Sequence, residues 1–158
     1  MTDAESAYFA YKWIGQNIEN DCLGNGTTLP ANIYKDGKGG ENGISSLFNM
    51  ICEFLSIETN TILGIKKIYT RDFTEKFTKL LRFDKYSWNY ISIDDKYYLV
   101  DIASNTGECQ GTELVKTQND DYFAIEPELC IRNLFPNDEE WQLLKNLLLK
   151  INLNLYLF

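Results

Sequence analysis

The 158 residues contain no histidine. That absence excludes Cys–His and Ser–His dyads at once, because both need an imidazole to take and return a proton near neutral pH, and it removes most transition-metal sites. Paired cysteines are missing too. Cys22, Cys52, Cys109 and Cys130 are widely scattered, without the CxxC spacing of a zinc site. No apolar run approaches the length that crosses a bilayer. The opening MTDAESAYF lacks a basic region followed by an apolar core, so no signal peptide is visible, and the expectation is a cytoplasmic chain with reduced, mostly buried thiols. On that ground the Asn-Gly-Thr sequon at 25–27 is discounted. The glycine-rich stretch 36–43 is not a phosphate loop, since it has neither a preceding strand nor a following Lys-Ser/Thr.

What is present fits a single α+β domain over 1–158, long enough to bury a real core. The net charge of −8 argues against nucleic acid or an anionic membrane as the main partner. The charge is uneven. Seven of the fifteen basic residues, Lys66, Lys67, Arg71, Lys76, Lys79, Arg82 and Lys85, fall within 66–85.

Apolar spacing at Ala4, Ala7, Tyr8, Tyr11, Ile14 and Ile18 predicts a helix over 3–20 with Thr2 or Asp3 as cap. A short helical turn is expected at 31–35. Residues 44–55 are apolar on nearly every face, as in a helix buried at the centre of a domain. A strand is expected at 59–65. Over 71–83 a helical period groups Phe73, Phe77, Leu80 and Leu81 on one face, with Lys76, Lys79 and Arg82 largely off it. Runs 87–93 and 96–102 flank Asp94-Asp95 and predict a hairpin. A strand ended by Pro127 is expected at 121–127, then a turn with acidic residues before the apolar tail 145–158, which is ambiguous between helix and strand and could seek a partner copy.

Four of these segments, in this order, resemble the transglutaminase-like superfamily in its kyphoscoliosis peptidase-like branch. AYKWIGQNIEND resembles the family's opening helix, and GENGISSLFNMICEFLSIET its nucleophile segment, a Gly-x-Cys-x-Gly before an aromatic-rich helix. SWNYISIDDKYYLVDIASN resembles the histidine–aspartate hairpin with Trp88-Asn89 intact. DYFAIEPELCIRNLFPNDEEWQLL resembles the closing signature. The resemblance runs over about 7–144, with 66–85 as a basic insert. It implies a papain-like core in which a central buried helix packs on an antiparallel sheet.

The catalytic positions do not carry over. Glu41 stands where the resemblance puts the nucleophilic cysteine, Tyr86 where it puts the histidine, and Asp101 alone matches; Leu134 replaces a further histidine of the closing signature. A carboxylate cannot form a thioester, and a phenol with an ordinary pKa of ~10 is a poor proton shuttle at neutral pH. Glu41 at a helix start is also stabilising in its own right, and Tyr86 could hydrogen-bond a buried carboxylate.

The resemblance therefore implies a catalytically inactive domain, without metal or cofactor, that binds a protein or peptide partner as a scaffold, with an association to the cytoskeleton by analogy. Lys76, Lys79, Arg82 and Tyr86 are the candidate binding residues. The alternative is a hydrolase with rebuilt acid–base chemistry on Glu41, Tyr86 and Asp101.

Overall fold

In the computed structural model, residues 1–24, 26–71 and 79–146 are described, apart from the side chains of 69–71 and 79–82. The chain falls into two compact units, one formed by Met1–Ile62 with Ser87–Ile125 and the other by Leu63–Tyr86 with Glu126–Phe158.

The first unit opens with α1 (Asp3–Asn17). Thr2 and Glu5 form a reciprocal capping box: the Thr2 amide donates to the Glu5 carboxylate at 2.7 Å, and the Glu5 amide donates to the Thr2 hydroxyl at 3.2 Å. Of the stripe that the spacing predicts, Ala7, Tyr11, Ile14 and Ile18 are buried, Ala10 joins them, and Ala4 and Tyr8 are exposed. The helix ends three residues sooner than that spacing suggests, because Ile18 is already extended and β1 (Glu19–Asn20) pairs in parallel with β2 (Lys38–Gly39). Between them α2 (Pro30–Asp36) begins on a proline, whose missing N–H costs nothing in a first turn, and closes on Gly37 in the left-handed region.

α3 (Glu41–Phe54) is the central helix. It starts three residues before the purely apolar run, at the glycines that the sequence suggests are loop. Ile44, Leu47, Phe48 and Cys52 are fully buried, while Met50 and Phe54 face solvent, so the helix is amphipathic rather than apolar all round. α1, α2 and the short α4 (Ile102–Asn105) all touch it.

β3 (Glu58–Arg71), β4 (Lys79–Ile93), β5 (Lys96–Val100) and β8 (Leu134–Pro136) form a sheet in the order β5-β4-β3-β8. The expected hairpin is present, with Ile93 opposite Lys96 and Asn89 opposite Val100. Asp94 and Asp95 both take positive φ, 51° and 58°, the backbone of a tight turn whose twist matches that of the strands. Its second strand stops two residues early, since the Asp101 amide donates to the Tyr122 carbonyl and Ile102 enters α4. The remainder of this unit is a small antiparallel ribbon, β6 (Glu108–Gln110) with β7 (Glu113–Val115), and a 3-10 turn at Asp120–Tyr122.

In the second unit β3 pairs with β8 through Gly64–Pro136, Ile65–Phe135 and Lys66–Leu134. α5 (Pro127–Cys130) and a 3-10 turn at Glu139–Gln142 flank β8.

Two sequence expectations are corrected here. The helical period over 71–83 is overridden at both ends: Arg71 closes β3 and Lys79 opens β4, so Leu80, Leu81 and Arg82 are strand residues. The segment 121–127 is not a strand, because Asn119 caps the 3-10 turn and Pro127 starts a helical turn, leaving only an isolated bridge between Ile125 and Leu99. Phe73, Lys76, Phe77 and the tail from 147 onward lie outside the described residues.

Candidate functional site

Glu41 is the first residue of α3, half-buried, with Gly40 as the N-cap. The cap supplies no side-chain hydrogen bond, so a carboxylate beside the first amides complements the positive end of the helix. This turn is closely covered. A Cβ on Gly43 would stand 2.8 Å from the Thr27 carbonyl and 2.3 Å from the Ile33 Cδ1, and one on Gly26 would stand 2.7 Å from the Gly40 nitrogen. Glycine at 26 and 43 is therefore what lets the chain after Cys22 lie directly on the helix start.

One turn further on, α3 meets β4 through a buried polar seam. The Ser87 hydroxyl donates to the Ser45 hydroxyl at 3.2 Å, and Asn89 Nδ2 donates to the Ser45 carbonyl at 3.0 Å and to Asn49 Oδ1 at 2.8 Å. The Thr59 hydroxyl reaches Asn49 Oδ1 and the Tyr90 carbonyl, at 2.8 and 2.7 Å. Polar groups this deep stabilise only when paired, and paired they fix the register of helix on strand.

Asp101 caps α4 and is 3% exposed. Its Oδ1 accepts the Ser104 amide at 3.1 Å and its Oδ2 accepts the Ser104 hydroxyl at 2.7 Å. Tyr11, in the same unit, donates its hydroxyl to the Asn119 carbonyl. Burial pushes its pKa well above the ordinary phenol range, and the charges of Asp101 and Asp120 push it further. Tyr86 belongs to the second unit. It is buried on β4, with the Lys66 ammonium 4.2 Å from its ring centroid, a cation held against the π face.

Of the basic candidates, Lys76 lies outside the described residues. Lys79 and Arg82 fall on the β4 backbone, so the expected helical face does not extend through them.

Two of the four cysteines are not reduced: Cys22 and Cys109 form a disulfide with Cα atoms 5.3 Å apart. This corrects the expectation of reduced thiols for that pair, which had been drawn from the lack of a visible signal peptide. Cys52 and Cys130 are buried and lie outside this disulfide; burial, aided by Glu53, pushes the Cys52 thiol up to about 12. Among the described residues no group of three or more His, Cys, Asp or Glu could hold a metal ion, and no helix is long and apolar enough to cross a membrane.

No family model matches the chain. It is similar to the kyphoscoliosis peptidases of Homo sapiens and Mus musculus, with 26% and 27% identity over 151 residues covering 91% of this chain. It is also similar to Hillarin of Drosophila melanogaster, with 25% identity over 162 residues and the same 91% coverage. These are distant likenesses that support the kyphoscoliosis peptidase-like branch. The chain spans about a fifth of the length of these relatives, 22%, 22% and 19% respectively.

Sequence reasoning missed Ser104 as the partner of Asp101, although Asp followed three residues later by Ser is legible as a cap once the strand is known to end at Val100. It missed the disulfide for want of any signal, since an even count of scattered cysteines does not name a pairing.

Proposed function

We propose that this chain is a transglutaminase-like domain that has lost thiol chemistry and serves as a protein-binding module. The observation that carries the reading is Glu41 at the first position of α3 in a chain with no histidine. The helix end that would lower a thiol's pKa has a carboxylate beside it instead. The rebuilt acid–base alternative draws no support from Asp101, whose two carboxylate oxygens are both engaged by Ser104 in a buried cap.

The test is chemical. Purified full chain should give no amine incorporation, deamidation or peptide cleavage, and a thiol-directed probe should label neither Cys52 nor Cys130 in the native state. Rapid labelling of one of them, together with turnover, would sink the reading. The binding half is tested by capture from native extract. Reversing Lys76, Lys79 and Arg82 to Glu should weaken capture and flatten its salt dependence, because exposed charge pairs are screened as ionic strength rises. Unchanged capture in that variant, with loss on Tyr86→Ala, would place the contact at Tyr86 instead.

A further inference from the structure

We propose that the Cys22–Cys109 disulfide is a thiol-reversible clasp that holds the first turn of α3 in place. Cys22 follows β1 by two residues, and the Asp21 amide donates to the Gly39 carbonyl at 2.8 Å. The Asp21 carboxylate also pairs with the Lys38 ammonium at 3.1 Å. Gly39 leads through Gly40 into Glu41, while the chain after Cys22 returns over the same turn at Gly26, Thr27 and Thr28. One sulfur of the bond is therefore anchored to both sides of the α3 N-terminus.

The other sulfur sits on weaker ground. Cys109 is exposed at the middle of β6, in a ribbon of three residues per strand. A ribbon that short barely holds itself. Lys116 helps by donating to the Ile18 carbonyl at 3.2 Å, and the Leu114 side chain lies against Gly107. Once the bond opens, what holds Cys109 opposite Cys22 among the described residues is chiefly this short ribbon and these two contacts, so the two thiols separate and reclosure is disfavoured. Exposed bonds of this kind are the reducible ones. Cys52 and Cys130, both buried, are the internal contrast.

The reductant is a small monothiol of the glutathione class. Its thiolate attacks Cys109 Sγ, the S–S bond breaks, and the electron pair leaves on Cys22 Sγ, which takes a proton from solvent. A second thiolate attacks the small-molecule sulfur of the mixed disulfide. That step releases Cys109 as a thiolate and the small molecule as its own disulfide, so two electrons pass from two thiols to the protein.

The experiment uses the full chain, purified oxidised, equilibrated in graded mixtures of reduced and oxidised glutathione, then trapped with a maleimide and read by mass and amide hydrogen exchange. Cys22 and Cys109 should become alkylated together while Cys52 and Cys130 stay unlabelled until denaturant is added. Exchange should rise roughly tenfold or more around Asp21, Gly40 and Cys109, with the β4–β5 hairpin still protected. Cys109→Ser should reproduce that pattern without reductant. A bond that resists excess glutathione in the folded chain overturns the proposal, as does reduction that leaves exchange at Gly40 to Ser45 unchanged. Global unfolding on reduction overturns it too, since the bond would then be a structural staple. The outcome does not depend on whether the Glu41 site is catalytic.

Discussion

A methyl group at position 15 would collide with Asn105. A Cβ there would stand 2.3 Å from Asn105 Nδ2, and Asn105 is held at both ends of its amide, donating to the Tyr11 carbonyl at 3.1 Å and accepting the Asn119 amide at 3.2 Å. Gly15→Ala should therefore cost about 1–3 kcal/mol even though alanine is the better helix former, with urea unfolding as the measure. A midpoint equal to or above that of the parent would show that Asn105 yields freely. The sequence places Gly15 inside a good helical period and gives no hint of this contact, because the partner lies ninety residues away in the chain. The same limit hid Lys66 over Tyr86. Both residues stand out as charge and aromatic in the sequence, but their meeting depends on neighbouring strands. Glu41 and Asp101 were singled out through the family resemblance, whereas the helix start and strand end beside them fall three and two residues from where the local pattern put them.

At the scale of elements, local chemistry and long-range pairing divide the outcome. α1, α2, α3 and the hairpin follow from caps, periodicity and the Asp94-Asp95 turn, all written within a few residues. The segment from Arg71 to Phe83 went the other way. Its helical period is real, yet strand pairing takes Arg71 and Lys79 onward, a tertiary override that periodicity cannot anticipate. The hairpin turn offers a clean measurement. Two aspartates hold positive φ, a conformation that costs a side chain with a Cβ and suits Asn-Gly far better. Replacing Asp94-Asp95 by Asn-Gly should raise stability by about 0.5–1 kcal/mol, visible as a higher urea midpoint with an unchanged slope. A loss of stability would mean that the two carboxylates make contacts worth more than the backbone relief.

For the whole molecule, protons decide the alkaline limit. Tyr11 in the unfolded chain ionises near its ordinary ~10, whereas burial and nearby carboxylates hold its proton to higher pH in the fold. Cys52 behaves alike, ionising ordinarily at 9.0 and in the fold at about 12. The folded state thus binds more protons above these ordinary values. The stabilisation from both groups is complete below them and is lost as pH rises through the folded values. Stability measured by urea should fall steadily above about pH 9, and Tyr11→Phe should flatten that fall while lowering the neutral-pH plateau by leaving the Asn119 carbonyl with only the long Tyr122 amide contact at 3.4 Å. A slope unaltered by Tyr11→Phe would assign the alkaline loss to other groups.

The buried indole of Trp88 has a consequence of an optical kind. It is 1% exposed, and its N–H meets no acceptor among the described residues, whereas Trp13 lies half-exposed in a stack with Tyr34 and Trp141 is also half-exposed. An excited indole relaxes toward longer wavelengths only when mobile dipoles can reorient around it, so Trp88 should emit at the blue edge of the spectrum and escape iodide quenching while the other two are dimmed. The chain carries its own colour gauge, read without any label, for the moment when water enters the core around Trp88, on the face of β4 opposite the one that Ser87 and Asn89 turn to α3.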